Sequence, residues 1–73
     1  MNTYDYYTHF ELYTGSNVTS VKEMHGVFST VTKLNSDEPE DLLILENIIT
    51  RHIHKKTGDN FIKVKLCEFG VVH

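Results

Sequence analysis

The chain has 73 residues, 40% of them apolar and 23% charged, which allows one domain with a single modest core. Seven basic residues against ten acidic ones leave a net charge of −3, which argues against bulk binding to duplex nucleic acid. No run approaches the roughly 18 apolar residues a bilayer span needs, and a single cysteine, Cys67, excludes an internal disulfide.

The start, MNTYDYYTHF, has neither a basic segment nor an apolar one, so no secretory signal is expected and the cytosol is the expected location. Asn17-Val18-Thr19 matches a glycosylation acceptor, which the expected cytosolic location makes a chance match. Residues Tyr4 to Tyr13 alternate and are rich in aromatic types, which predicts a half-buried strand. Tyr4, Tyr6, Thr8, Phe10 and Leu12 form its core face, and Asp5, Tyr7, His9, Glu11 and Tyr13 its outer face. Thr14-Gly15-Ser16-Asn17 has turn chemistry, so a hairpin follows. The Val-, Thr- and Phe-rich run Val18 to Leu34 is long for one strand. Gly26 is its expected break, between a short segment Val18–Glu23 and a better strand Val27–Lys33.

Ser36 to Gly58, SDEPEDLLILENIITRHIHKKTG, predicts the one helix. Ser36 or Asp37 is the expected cap, Glu40 completes a capping box with Asp37, and Pro39 suits the first turn. Asp37, Glu38, Glu40 and Asp41 complement the positive end of the helix dipole; Arg51, Lys55 and Lys56 complement the negative end, and Gly58 supplies the stop. At 100° per residue Leu42, Leu45, Ile49 and Ile53 form a core stripe. Ile44 and Ile48 widen it beyond what one small sheet covers, and Leu43 lies outside it. After the helix, Ile62, Val64 and Leu66 alternate with Lys63, Lys65 and Cys67, a closing strand from Phe61 to Val72 that Gly70 interrupts. The expected fold is α+β: one domain over residues 1–73, with a mainly antiparallel sheet of three or four strands and the helix across one face, in the order ββαβ or βββαβ. The expected core is Tyr6, Phe10, Leu12, Leu42, Leu45, Ile49, Ile53, Ile62, Val64 and Leu66.

Five histidines invite a metal reading, but His52 and His54, two apart on a helix, diverge by about 200°. They are better placed to complement the helix C-terminus. Cys67 has only Lys65 near it in sequence to stabilise a thiolate, so an ordinary half-buried cysteine is expected. No catalytic, metal or cofactor motif stands out, and a non-enzymatic protein without cofactors is expected.

Two binding surfaces remain. One joins the acidic turn Asp37, Glu38, Glu40 and Asp41 to the aliphatic pair Ile44 and Ile48, parts suited to a protein partner with a basic groove or to a second copy of the chain. The charge is unevenly distributed, which leaves room for a local basic patch: residues 1–46 carry eight acidic and two basic side chains, and residues 47–73 carry five basic and two acidic ones. The alternative is the open sheet face, where Tyr7, Tyr13 and Phe69 could stack single-stranded bases while Lys63 and Lys65 contact phosphates.

An aromatic first strand near MNTYDYY, a hairpin, one helix opened by SDEPEDL and a closing strand FIKVKL together resemble the very small accessory proteins of phages and mobile elements, anti-CRISPR inhibitors among them. The resemblance covers most of the chain in architecture and assigns no residue. It implies a protein that blocks a host defence complex by occupying its surface, in the host cytoplasm.

Overall fold

The computed structural model describes residues 3–14 and 20–72. The expected turn at Gly15–Asn17, the Asn17-Val18-Thr19 match and the start of the Val18–Glu23 segment lie outside the described residues. Strand β1 spans Tyr4–Thr14, β2 spans Ser20–Thr30, helix α1 spans Pro39–Thr57 and β3 spans Lys63–Val71. The three strands form one antiparallel sheet in the order β2-β1-β3, and α1 packs across one face. The expected ββαβ, two-layer α+β architecture is the one observed.

Aromatic β1 holds the centre of the sheet, and its alternation turns one row of side chains toward the helix. Tyr6, Thr8, Phe10 and Leu12 are buried beneath the helix, whereas Tyr4, at the strand's end, is exposed. Strand β3 runs only as far as Val71, opposite Tyr6, so Tyr4 has a neighbour on one side alone.

Strand β2 does not break at Gly26. It pairs with β1 over eleven positions without a register shift, from Tyr4 opposite Thr30 to Thr14 opposite Ser20. Two features explain the continuity. The Thr8 hydroxyl donates to the Gly26 carbonyl at 2.9 Å, and the missing side chain admits the Phe28 ring, which would stand 3.2 Å from a Cβ at this position. Met24, Phe28 and Thr30 therefore share the core face, and Val21, Glu23, His25 and Val27 the outer one.

The helix begins later than the sequence suggests, at Pro39, and neither Ser36 nor Asp37 caps it. Asn35 organises this region instead: its carbonyl accepts the Glu38 N–H at 3.1 Å and its Oδ1 accepts the Asp37 N–H at 2.9 Å. These bonds close a turn over Ser36 and Asp37, which leaves Glu38 as the cap residue with no side-chain cap bond. At the other end Gly58 has φ 75° and donates its N–H to the His54 carbonyl at 2.8 Å, the stop its lack of a Cβ permits.

Leu45, Ile49 and Ile53 are buried by the helix, with Leu42, Ile48 and Val64 partly buried beside them. Leu43 is exposed, so the helix phase is the expected one. Two buried apolar residues were not on the expected list, Leu34 and Phe69. Leu34 lies in the connection after β2. Phe69 was expected on the outer face, and it is turned inward by a bulge in β3: Phe10 faces Leu66 but His9 faces Glu68, which leaves Cys67 as an extra residue. Side chains alternate with period two, so one inserted residue exchanges the faces of all that follow. Beyond the bulge the pairing continues through Gly70, and the Val72 N–H reaches the Asp5 carbonyl at 2.9 Å.

Candidate binding surfaces

The acidic turn is assembled as a group but its members differ. Asp37, Glu38 and Glu40 are exposed. Asp41 is half-buried and accepts the Asn35 N–H on Oδ2 at 2.8 Å, so it ties the connection to the helix. Three carboxylates are thus free to meet a partner and one is occupied by local structure.

Ile44 and Ile48 also separate. Ile44 is 47% exposed, while Ile48 is half-buried and packs against the core. Both belong to one helical row, Ile44, Ile48 and His52, spaced four apart. The lower end of that row is located by His52, whose ring meets Phe28 of β2 edge to face at 5.5 Å. The opposite flank of the helix is located by Glu46 and His54. The Glu46 Oε2 accepts the Leu66 N–H at 3.0 Å, and the His54 Nε2–H donates to the Ile62 carbonyl at 2.7 Å. The helix is therefore seated toward β3, and its aliphatic flank overhangs β2.

Beneath that overhang the sheet is incompletely covered. Met24 and Phe28 remain half-buried, and with Phe10, Gly26, His52 and Lys56 they line a cleft of about 320 Å³. A second depression of about 470 Å³, between the 33–36 connection and the end of β3, is lined by Tyr6, Lys33, Leu34, Phe69 and Val71.

On the outer sheet face Tyr7 is half exposed, Tyr13 is half-buried, and Lys63 and Lys65 are exposed. Phe69 is not part of this face. It is 6% exposed and packs edge to face on Tyr6 at 5.6 Å. Lys65 has an acidic neighbour, since it lies opposite Glu11, which in turn lies opposite Glu23, whereas Lys63 lies opposite Tyr13. The Tyr7 ring lies over Gly70, with its edge 2.6 Å from where a Cβ would stand.

At the centre of the same face His9 and His25 stack with centroids 4.6 Å apart and planes 9° from parallel. Glu23 and Glu68 flank His9 at 3.9 and 4.0 Å. Sequence reasoning did not join these four residues because the pairing of β1 with both neighbours brings them together. Parallel rings project their nitrogen lone pairs in parallel planes, so the pair does not converge on a common ligand. Among the described residues no group of three or more His, Cys, Asp or Glu is placed to hold a metal ion.

Cys67 is exposed, not half-buried, because the bulge carries it. Its sulfur lies 3.7 Å from Glu11 Oε1. Local desolvation of the sulfur and the Glu11 carboxylate push the thiol up from its ordinary value, outweighing the opposing effect of Lys65. The Tyr13 hydroxyl donates to the same Glu11 oxygen at 3.1 Å, and that hydrogen bond holds its phenol above the ordinary value. Both groups keep their protons, which suits neither to act as a nucleophile.

Comparison with protein-family models, curated proteins and solved structures finds no match for this chain. The surfaces must be judged on their own chemistry. No helix among the described residues is long and apolar enough to cross a membrane. Of the surfaces described, the helix flank carries exposed carboxylates at its start and the exposed Ile44 further along, with a mixed polar and apolar cleft near its end, while the outer sheet face mixes both charges around a histidine stack.

Proposed function

We propose that this chain is a non-enzymatic binding module that works by covering a surface of a partner protein. The observation that carries this reading is the flank of α1: the exposed acids Asp37, Glu38 and Glu40 lead along the helix to the exposed Ile44 and the half-buried Ile48, in the row that ends with His52 on Phe28. Apolar groups left beside concentrated charge are the makings of an interface, with the apolar part supplying affinity and the charge selecting orientation. The partner that fits is a protein presenting a basic surface beside an apolar ridge, such as a groove built for nucleic acid. Inhibition of a host defence complex by occlusion is the form this takes if the resemblance to phage and mobile-element proteins holds.

The test begins with affinity capture from the natural host, followed by a dissociation constant with the purified partner. Two variants then separate the contributions. Glu38→Lys with Glu40→Lys changes charge at residues that make no side-chain cap bond, and Ile44→Asp interrupts the aliphatic row at an exposed position. Each is expected to weaken binding at least about tenfold, the effect of losing roughly 1.4 kcal/mol. Unchanged affinity in both variants would place the contact elsewhere on the molecule.

A further inference from the structure

We infer that β2 is the interface of a homodimer, in which two copies join their sheets edge to edge in antiparallel pairing. The two free edges of the sheet are unlike. The β3 edge is interrupted by the bulge at Cys67, and helix side chains hold it, Glu46 at the Leu66 N–H within the strand and His54 at the carbonyl of Ile62 just before it. Bulges, side-chain cover and charged edge residues are among the devices by which sheet edges avoid pairing with other chains. Among the described residues the β2 edge has neither a bulge nor such cover, and its charged residues are Lys22 and Glu23 alone. It runs eleven residues with no register shift against β1 and contains no proline.

The side chains of β2 select a second copy of this chain as the occupant. Antiparallel pairing about a two-fold axis must match residues of equal parity so that both helices lie on one face of the joined sheet. Centred on Met24, the pairing sets Glu23 opposite the second copy's His25 and Val21 opposite its Val27, each contact occurring twice. Val21 and Val27 are 46% and 62% exposed in the single chain, and this register gives each an aliphatic neighbour. On the core face Met24 meets its own copy, and Lys22 lies opposite the second copy's Gly26, beside the Phe28 ring that fills the space at that glycine. Centring the strands on Glu23 instead would set like charges opposite each other.

The helix charges agree with the same axis. Helix α1 carries acidic residues in its first turn and His54, Lys55 and Lys56 in its last. A two-fold axis makes the two helices antiparallel, so the acidic end of each lies on the side of the basic end of the other. Their Ile44–Ile48 flanks turn toward one another across the joined β2 strands. This assembly turns toward the second copy the same helix flank that the reading above offers to a partner protein, and its variants spare Glu38, Glu40 and Ile44, so that the two are tested apart.

The test has two parts. Light scattering at micromolar concentration is expected to give twice the chain mass, and Val21→Lys with Val27→Lys, which sets lysine opposite lysine twice, is expected to return it to one. Circular dichroism of that variant shows whether the fold is kept. Independently, in a Cys67→Ser background, Met24→Cys is expected to cross-link two chains under mild oxidation, whereas His25→Cys, off the axis, is expected to cross-link far less. A monomeric wild-type chain overturns the proposal. So does a dimer that persists in the folded lysine variant, or one in which His25→Cys cross-links as readily as Met24→Cys.

Discussion

The hydroxyl of Tyr6 accepts the backbone N–H of Leu34 at 2.6 Å, twenty-eight residues away and inside the core. Tyr6 is fully buried and Leu34 is 3% exposed, so the central strand holds the connection that leads into the helix. Without this bond a buried N–H would have no partner, and the position of Leu34 over the sheet would rest on packing alone. Tyr6→Phe is therefore expected to cost about 1–3 kcal/mol, the penalty for leaving a buried donor unmade. Urea unfolding measures it; a loss below about 0.5 kcal/mol would mean that Leu34 is held by its apolar contacts.

Phe69 and Phe61 make a paired test of the bulge. Phe69 is buried against Tyr6, and Phe61 is 87% exposed just before β3. Phe69→Ala is expected to cost about 3–5 kcal/mol, and Phe61→Ala to change stability by no more than about 0.5 kcal/mol. Equal effects from the two would show that Phe69 does not face the core.

Tyr7 and Gly70 are coupled across β1 and β3. A methyl group at Gly70 would stand 2.6 Å from the Tyr7 ring, so Gly70→Ala forces the ring aside and exposes the strand it covers. The expected cost is about 1 kcal/mol with Tyr7 present. In a Tyr7→Ala background the same substitution is expected to be neutral or stabilising, since glycine inside a strand is unfavourable when nothing covers it. A double-mutant cycle reads the difference, and additive effects would rule out the contact.

Tyr13 and Cys67 both approach Glu11, and both hold their protons more tightly in the folded chain. Their contribution to stability is complete below the ordinary thiol and phenol values of 9.0 and 10.0, and is lost as pH rises through the raised folded values. The urea midpoint is expected to be flat with respect to these groups from pH 7 to about 8.5 and to fall in alkali. Glu11→Gln should weaken that fall and also speed alkylation of Cys67 near pH 8. An unchanged alkylation rate would remove Glu11 as a cause of the raised thiol.

Much of the architecture was readable because it rests on local rules. The helix phase follows from a period of 3.6, and Leu45, Ile49 and Ile53 occupy the buried stripe while Leu43 is exposed. The alternation of β1 and the stop at Gly58 belong to the same class, each decided within a few residues of chain. The apolar arc wider than a core stripe was also visible in advance, but only Ile44 of its flanking pair is exposed, since Ile48 packs against the core.

What lay beyond the sequence was decided by pairing between distant segments. The bulge at Cys67 exists in the registration of β3 against β1, and no local feature of KLCEFG marks it. It moved Phe69 from the outer face to the core and brought Cys67 to the surface. Gly26 looked like a break because glycine weakens an isolated strand, but in the sheet Thr8 bonds to it from the neighbouring strand. The helix start moved to Pro39 because Asn35 gathered the local backbone bonds that Ser36 and Asp37 were expected to compete for. Likewise, that Glu46 and His54 engage the β3 edge while Ile44 and Ile48 overhang β2 follows from where the helix sits across the sheet. Periodicity states which side of a helix or strand is apolar; which neighbour each side meets is a property of the assembled sheet, because it depends on contacts between residues far apart in the chain.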